Sequence, residues 1–219
     1  ADAEREHLWR LWEGSPNVRM LAGERAVRPD VEGEVAAFLG PPAHQSLSLH
    51  DHVSVGADGR AARVRTIQVI EAIRPDTASI PYIYDTSALT LHAVHGCTPP
   101  GDPVVATGKD LFVTRLPLVK TLDVGDTLTL EYATTFQYRG EITAEHRQYR
   151  RAVMRRVENF DLRVQFDPDN IPPHVWWAIW DGVDGEIIEQ REETLDSQHS
   201  AHRYLRVVEK TVLGFYWAW

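Results

Sequence analysis

The chain has 219 residues, 43% of them hydrophobic, enough to bury the core of one large domain and incompatible with a disordered polymer. Its formal charge of −9 and pI near 5.5 repel phosphate backbones overall, so contact with nucleic acid would need a local basic patch. The single cysteine, Cys97, cannot close an internal disulfide, and no run approaches the roughly 18 apolar residues of a membrane span; a cytoplasmic protein fits best.

The chain opens on Ala1 without an initiating Met or a charged-then-apolar leader, which allows a removed leader or a fragment of a longer polypeptide. In "ADAEREHLWRLWEG", Leu8, Leu11 and Trp12 recur at helical spacing, and Gly14 with Pro16 stops the run. The spacing predicts a short N-terminal helix and linker over residues 1–15, ahead of a single domain over 16–219. A second helical turn in "DVEGEVAAFLG" is capped by Asp30, weakened by Gly33 and ended by Gly40, Pro41 and Pro42.

From Gln45 onward the period is two. "LSLHDHVSV" alternates Leu47, Leu49, Asp51, Val53 and Val55 against Ser48, His50, His52 and Ser54, and "GADG" turns it into "RAARVRTIQVIEAI". The apolar positions of this second run change phase between Val64 and Ile67, Val69 and Ile73, which predicts a bulge. Further strands are expected in "IPYIYDT", "ALTLHAV", "VVATGKDLFVTRL", "DTLTLEYATTFQY", "NFDLRVQF", "HVWWAIW", "EIIEQREETL", "RYLRVVEK" and "GFYWAW". About eleven short strands separated by Gly, Pro, Asp and Asn clusters imply a mainly β fold, an antiparallel β-sandwich.

The stretch "HVWWAIW" sets Val175, Trp177 and Ile179 on one side of a strand and His174, Trp176, Ala178 and Trp180 on the other, and both sides are apolar. Trp177 is the core candidate. Trp176 and Trp180 are candidates for a cavity or an interface, because an exposed apolar patch usually has a partner. Tyr82 and Tyr84 would join them as stacking surfaces if the domain bound carbohydrate.

Among the histidines only His50 and His52 share a strand face as metal ligands would, and they alternate with Ser48 and Ser54 on a polar side, so surface histidines are expected and no metal. Cys97 lies in a turn with no histidine fixed beside it. No nucleophile elbow, phosphate loop or zinc signature is present; no catalytic residue and no cofactor is assigned, although a site assembled across strands would leave no such motif. Charge is uneven in two places. "RGEITAEHRQYRRAVMRR" is rich in arginine, with Arg150 and Arg155 as candidate contacts for an anionic effector, while "DGVDGEIIEQREETLD" is acidic. The two stripes are expected either as solvated, mutually neutralising faces or as surfaces that dock between subunits.

The order of "AARVRTIQVIEAI", "VTRLP", "VGDTLTLEYATTF", an arginine-rich segment leading into "DLRVQFDPDNIP", a Trp-rich strand and "LGFYWAW" resembles the C-terminal domain of actinobacterial XRE-type helix-turn-helix regulators. "DAEREHLWRLWEG" is similar to the last helix and exit linker of their DNA-binding part. The resemblance implies transcription regulation by a ligand-binding or dimerising domain. Its partners would be a small-molecule effector and a second copy, with DNA bound only through a domain outside this chain and no membrane. A carbohydrate-binding module and an enzyme acting on a small molecule are the alternatives.

Overall fold

The computed structural model describes residues 41–84, 86, 88–102, 104–105, 112–138, 146–182 and 185–219. The helix expected over 1–15 and the turn expected over 30–40 lie outside the described residues. Those described contain no α-helix and form β1 (His44–Val55), β2 (Ala61–Ala72), β3 (Thr77–Tyr84), β4 (Leu89–His95), β5 (Val104–Val105), β6 (Phe112–Leu122), β7 (Thr127–Phe136), β8 (Gln148–Val153), β9 (Val157–Gln165), β10 (His174–Trp180), β11 (Ile187–Glu193), β12 (Ser200–Val208) and β13 (Thr211–Ala218). The chain is therefore mainly β. Among the described residues no helix is long and apolar enough to cross a membrane.

The strands assemble into a six-stranded sheet ordered β12-β9-β1-β2-β7-β4, a four-stranded sheet ordered β11-β10-β13-β8 and a three-stranded sheet ordered β3-β6-β5. Every ladder between them is antiparallel except β1 with β9, which is parallel. A parallel neighbour cannot be reached by a hairpin, and here residues 56–156 separate the two strands.

One face of the six-stranded sheet carries both large hydrophobic clusters. Toward β9 and β1, Leu49, Val53, Phe160, Leu162 and Val164 pack with Trp177, Leu213, Phe215 and Trp217 of the four-stranded sheet. Toward β7, Ile70, Leu130 and Tyr132 pack with Ile80, Leu116, Leu118 and Leu122, on or beside the three-stranded sheet. Trp177 is only 3% exposed and meets Phe215 edge-on at 5.2 Å, as its phase on β10 requires.

Two local expectations change. The buried face of β2 runs through Val64, Thr66, Gln68, Ile70 and Ala72 without a phase change, and Ile67 and Val69 take the opposite side. The hairpin is irregular at two points, at Leu47 on β1 between Ser46 and Ser48, and at Ala62 on β2, where Ser54 and Val55 face Arg63 and Ala61, so β2 does carry a bulge but ahead of Val64 rather than after it. Polar Thr66 and Gln68 had disguised the even face, because periodicity read from apolar residues alone skips a buried polar pair. The arginine-rich stretch also contains a strand, β8, which pairs with β13.

Candidate functional site

The outer face of the four-stranded sheet is aromatic where a solvated sheet face is ordinarily polar. Register places Trp176 opposite Tyr216, Ala178 opposite Gly214 and Trp180 opposite Val212. Trp176 and Tyr216 stack at 4.8 Å and 12° between planes, and His174 stacks on the other side of Trp176 at 5.5 Å and 21°. Rings stacked face to face across a sheet turn their edges outward. Polar groups of the acidic edge strand hold both ends of the stack: Tyr216 donates its hydroxyl to Gln190, and His174 Nδ1 lies 2.7 Å from Glu192 Oε1.

Trp180 sits beside this stack but is only 1% exposed, in a small cluster with Ala178 and Val212. Its ring face is taken by the Arg150 guanidinium, 4.8 Å from the ring centroid. Arg150 reaches it from β8 across Gly214, its register partner on β13. A side chain at Gly214 would place Cβ 1.9 Å from the Tyr149 carbonyl oxygen, so only glycine lets β8 approach here.

The other expected site residues lie elsewhere. Tyr82 and Tyr84 belong to β3, with ring centroids 5.9 Å apart; Tyr84 stacks on Phe112 at 5.2 Å, and Tyr82 meets Tyr132 edge-on at 5.6 Å. Arg155 follows β8 near His44, where burial first and the Arg155 charge second lower the imidazole pKa to about 4. Burial also lowers the Arg155 pKa. Trp176, Trp180 and Arg150 thus share one sheet face, while Tyr82, Tyr84 and Arg155 do not join it.

A second polar constellation lies inside the fold, where the two hydrophobic clusters meet. Asp51, on the apolar side of β1, is 2% exposed. It accepts hydrogen bonds from Thr66 Oγ1 at 2.6 Å and Tyr149 OH at 2.9 Å, and Arg151 Nε lies 3.6 Å from it. Arg151 also donates to Tyr132 OH at 3.3 Å, Tyr132 donates to Gln68 at 3.3 Å, and Gln68 donates to Ser46 at 2.7 Å. Burial raises the pKa values of Tyr82, Tyr132 and Tyr149, and the Asp51 charge adds to the effect in all three. Desolvation is the largest single effect on Arg151 and opposes its charge, but the Asp51 carboxylate, together with Tyr132, Tyr149 and Tyr82, more than offsets it and raises the guanidinium pKa. Sequence reasoning missed this group. Its one visible signal was a carboxylate, Asp51, in the middle of the apolar stripe of β1.

Among the described residues, the basic strand β8 and the acidic strand β11 form opposite edges of one sheet, with β13 and β10 between them. Arg151 is committed to Asp51, Arg150 to Trp180, and Arg156 to Glu158 at 3.0 Å. His50 and His202 flank Asp161 at 3.7 and 2.9 Å, and no group of three or more metal-ligating side chains occurs among the described residues. Cys97 is buried, its Sγ toward the carbonyls of His95 and Glu131, and burial raises its pKa, the opposite of an activated thiol. A depression of about 450 Å³ lies by Pro172, Pro173 and Leu195. Its two carboxylates are engaged, Glu192 by His174 and Glu193 by Arg203.

No family model matches the chain, and no curated protein matches it. Among solved structures, the chain is similar to a proposed protease from Parabacteroides distasonis, at 13% identity and a TM-score of 0.50 over 80% of this chain and 40% of that one. The chain thus corresponds to less than half of that protein's length. The similarity is one of fold.

Proposed function

We propose that this chain is the ligand-sensing or dimerisation part of a cytoplasmic bacterial transcription regulator of the XRE helix-turn-helix type, a β-sandwich whose DNA-binding domain lies outside the chain. The observation that carries this reading is the aromatic outer face of the four-stranded sheet, with its stack of His174, Trp176 and Tyr216. The quoted resemblance in strand order supports the regulator context. A carbohydrate-binding platform needs ring faces turned to solvent, whereas here Trp176 has rings on both faces and Trp180 lies under Arg150. A row of ring edges beside hydrogen-bonding groups suits a flat apolar effector or another protein surface.

Native mass spectrometry of the freshly purified 219-residue chain tests the reading directly. A retained small molecule that is lost in Trp176→Ala is the expected result. A monomer that retains no molecule, and whose Trp176→Ala variant is indistinguishable from it, would overturn it.

A further inference from the structure

The edge strand β11 differs from the others in how little holds it. It pairs only with β10, and Ile187, Ile188, Glu189, Gln190, Arg191 and Glu192 are all exposed, on both of its faces. Ile187 and Ile188 are 40% and 41% exposed. An edge of seven residues without proline offers a free row of backbone donors and acceptors, the feature that natural sheets normally blunt.

Charges do sit on this edge, and their order is informative. Around Gln190 the sequence reads Glu189, Gln190, Arg191. If two copies of β11 run antiparallel about a two-fold axis through Gln190, Glu189 of each copy stands opposite Arg191 of the other. Two opposite-charge cross-strand pairs form. Glu189 and Arg191 lie on the same face of β11 as Glu193, which contacts Arg203 of β12, so the pairing also keeps the inner faces of both sheets on one side. A register centred one residue further on, at Arg191, would set Glu189 against Glu193. The charges therefore reject that register and accept the one at Gln190.

Neither partner is strongly committed within its own chain. Arg191 Nε is 3.9 Å from Glu193 Oε1 and its side chain is 68% exposed; Glu193 is held more closely by Arg203 at 3.1 Å. Among the described residues Glu189 makes no ion pair with a side chain.

We infer that β11 is a dimerisation edge, pairing antiparallel with β11 of a second copy about Gln190 and joining the two four-stranded sheets into one continuous eight-stranded sheet. The inference deepens the proposed function and rests on it for the role of assembly, but it places the contact on the sheet edge rather than on the aromatic face. The outer sides of both sheets would then form one surface, with the two aromatic stacks flanking the axis.

Sedimentation velocity of the whole chain over a concentration series, with Glu189→Arg, Arg191→Glu, the double exchange and Trp176→Ala, tests it. Each single reversal sets two like-charge pairs across the axis and should weaken the dimer at least about tenfold. The double exchange should restore it, and Trp176→Ala should leave it in place. A chain that is monomeric at every concentration overturns the inference and leaves effector sensing standing. A dimer indifferent to both single reversals, or one that the double exchange fails to restore, also overturns it. A dimer broken by Trp176→Ala and by neither reversal moves assembly to the aromatic face, which overturns the edge and upholds the broader reading. Circular dichroism of each variant separates loss of pairing from loss of folding.

Discussion

Three tryptophans within five residues have three different environments, and strand phase explains most of the difference. Trp177 faces inward and packs on Phe215, whereas Trp176 faces outward between His174 and Tyr216. Trp177→Ala should cost about 3–5 kcal/mol in chemical denaturation, as large-to-small core changes do. Trp176→Ala should cost much less. Trp180, expected to line an open site, is 1% exposed and should resemble Trp177 in stability rather than Trp176. Equal losses for Trp176 and Trp177 would mean that the outer face is covered as fully as the core. His44 supplies a pH handle: its pKa is lowered from 6.5 to about 4, so the fold favours the neutral imidazole. That contribution is fully present above pH 6.5 and is lost as pH falls through about 4, because the unfolded chain takes up the proton first. His44→Gln should flatten the acid limb of the stability profile in that window. An unchanged slope in urea titrations at stepped pH would exclude this histidine as a source of acid sensitivity.

At the scale of elements, the group around Asp51 binds β1, β2, β7 and β8 across two sheets. Such a group stabilises only while it is complete, since removing one member of a buried ion pair leaves the other charge without its counterion. Asp51→Ala should therefore cost about 3–5 kcal/mol, and replacing Asp51 with Leu together with Arg151 with Met should recover much of it. Thermal unfolding of the single and double variants gives the comparison. If the double variant is no better than the single, the network contributes more than the pairing of two charges. Part of this was legible in advance, because Asp51 interrupts an apolar stripe. Its partner Tyr149 lies 98 residues away, on a strand hidden in an arginine-rich stretch, and no local pattern joins them.

For the whole molecule, the net charge of −9 governs nucleic-acid contact. Several described arginines that could have formed a phosphate-binding patch are spent internally, on Asp51, Trp180 and Glu158. The chain alone should bind duplex DNA weakly, in the non-specific range of about 10⁻⁴–10⁻⁶ M, with affinity falling steeply as salt rises. Fluorescence anisotropy with a labelled duplex at two salt concentrations measures both quantities. Tight, sequence-selective binding by these residues would place a DNA-reading surface within this chain and remove the need for a separate domain.

Local chemistry by itself determined that the described chain would be built of strands, and the alternation of Leu128, Leu130 and Tyr132 in β7 and of Phe160, Leu162 and Val164 in β9 marked their buried sides, because alternation depends only on neighbouring residues. Leu130 and Tyr132, and Phe160 and Leu162, all lie where that alternation put them. Tertiary structure alone decided that β9 would run parallel beside β1, that the arginines of β8 would turn to Asp51 and Trp180, and that the acidic and basic stripes would become opposite edges of one sheet. The physical reason is that strand neighbours are selected by the fit of whole faces across long chain separations, and each face is written in residues that carry no local sign of their partner.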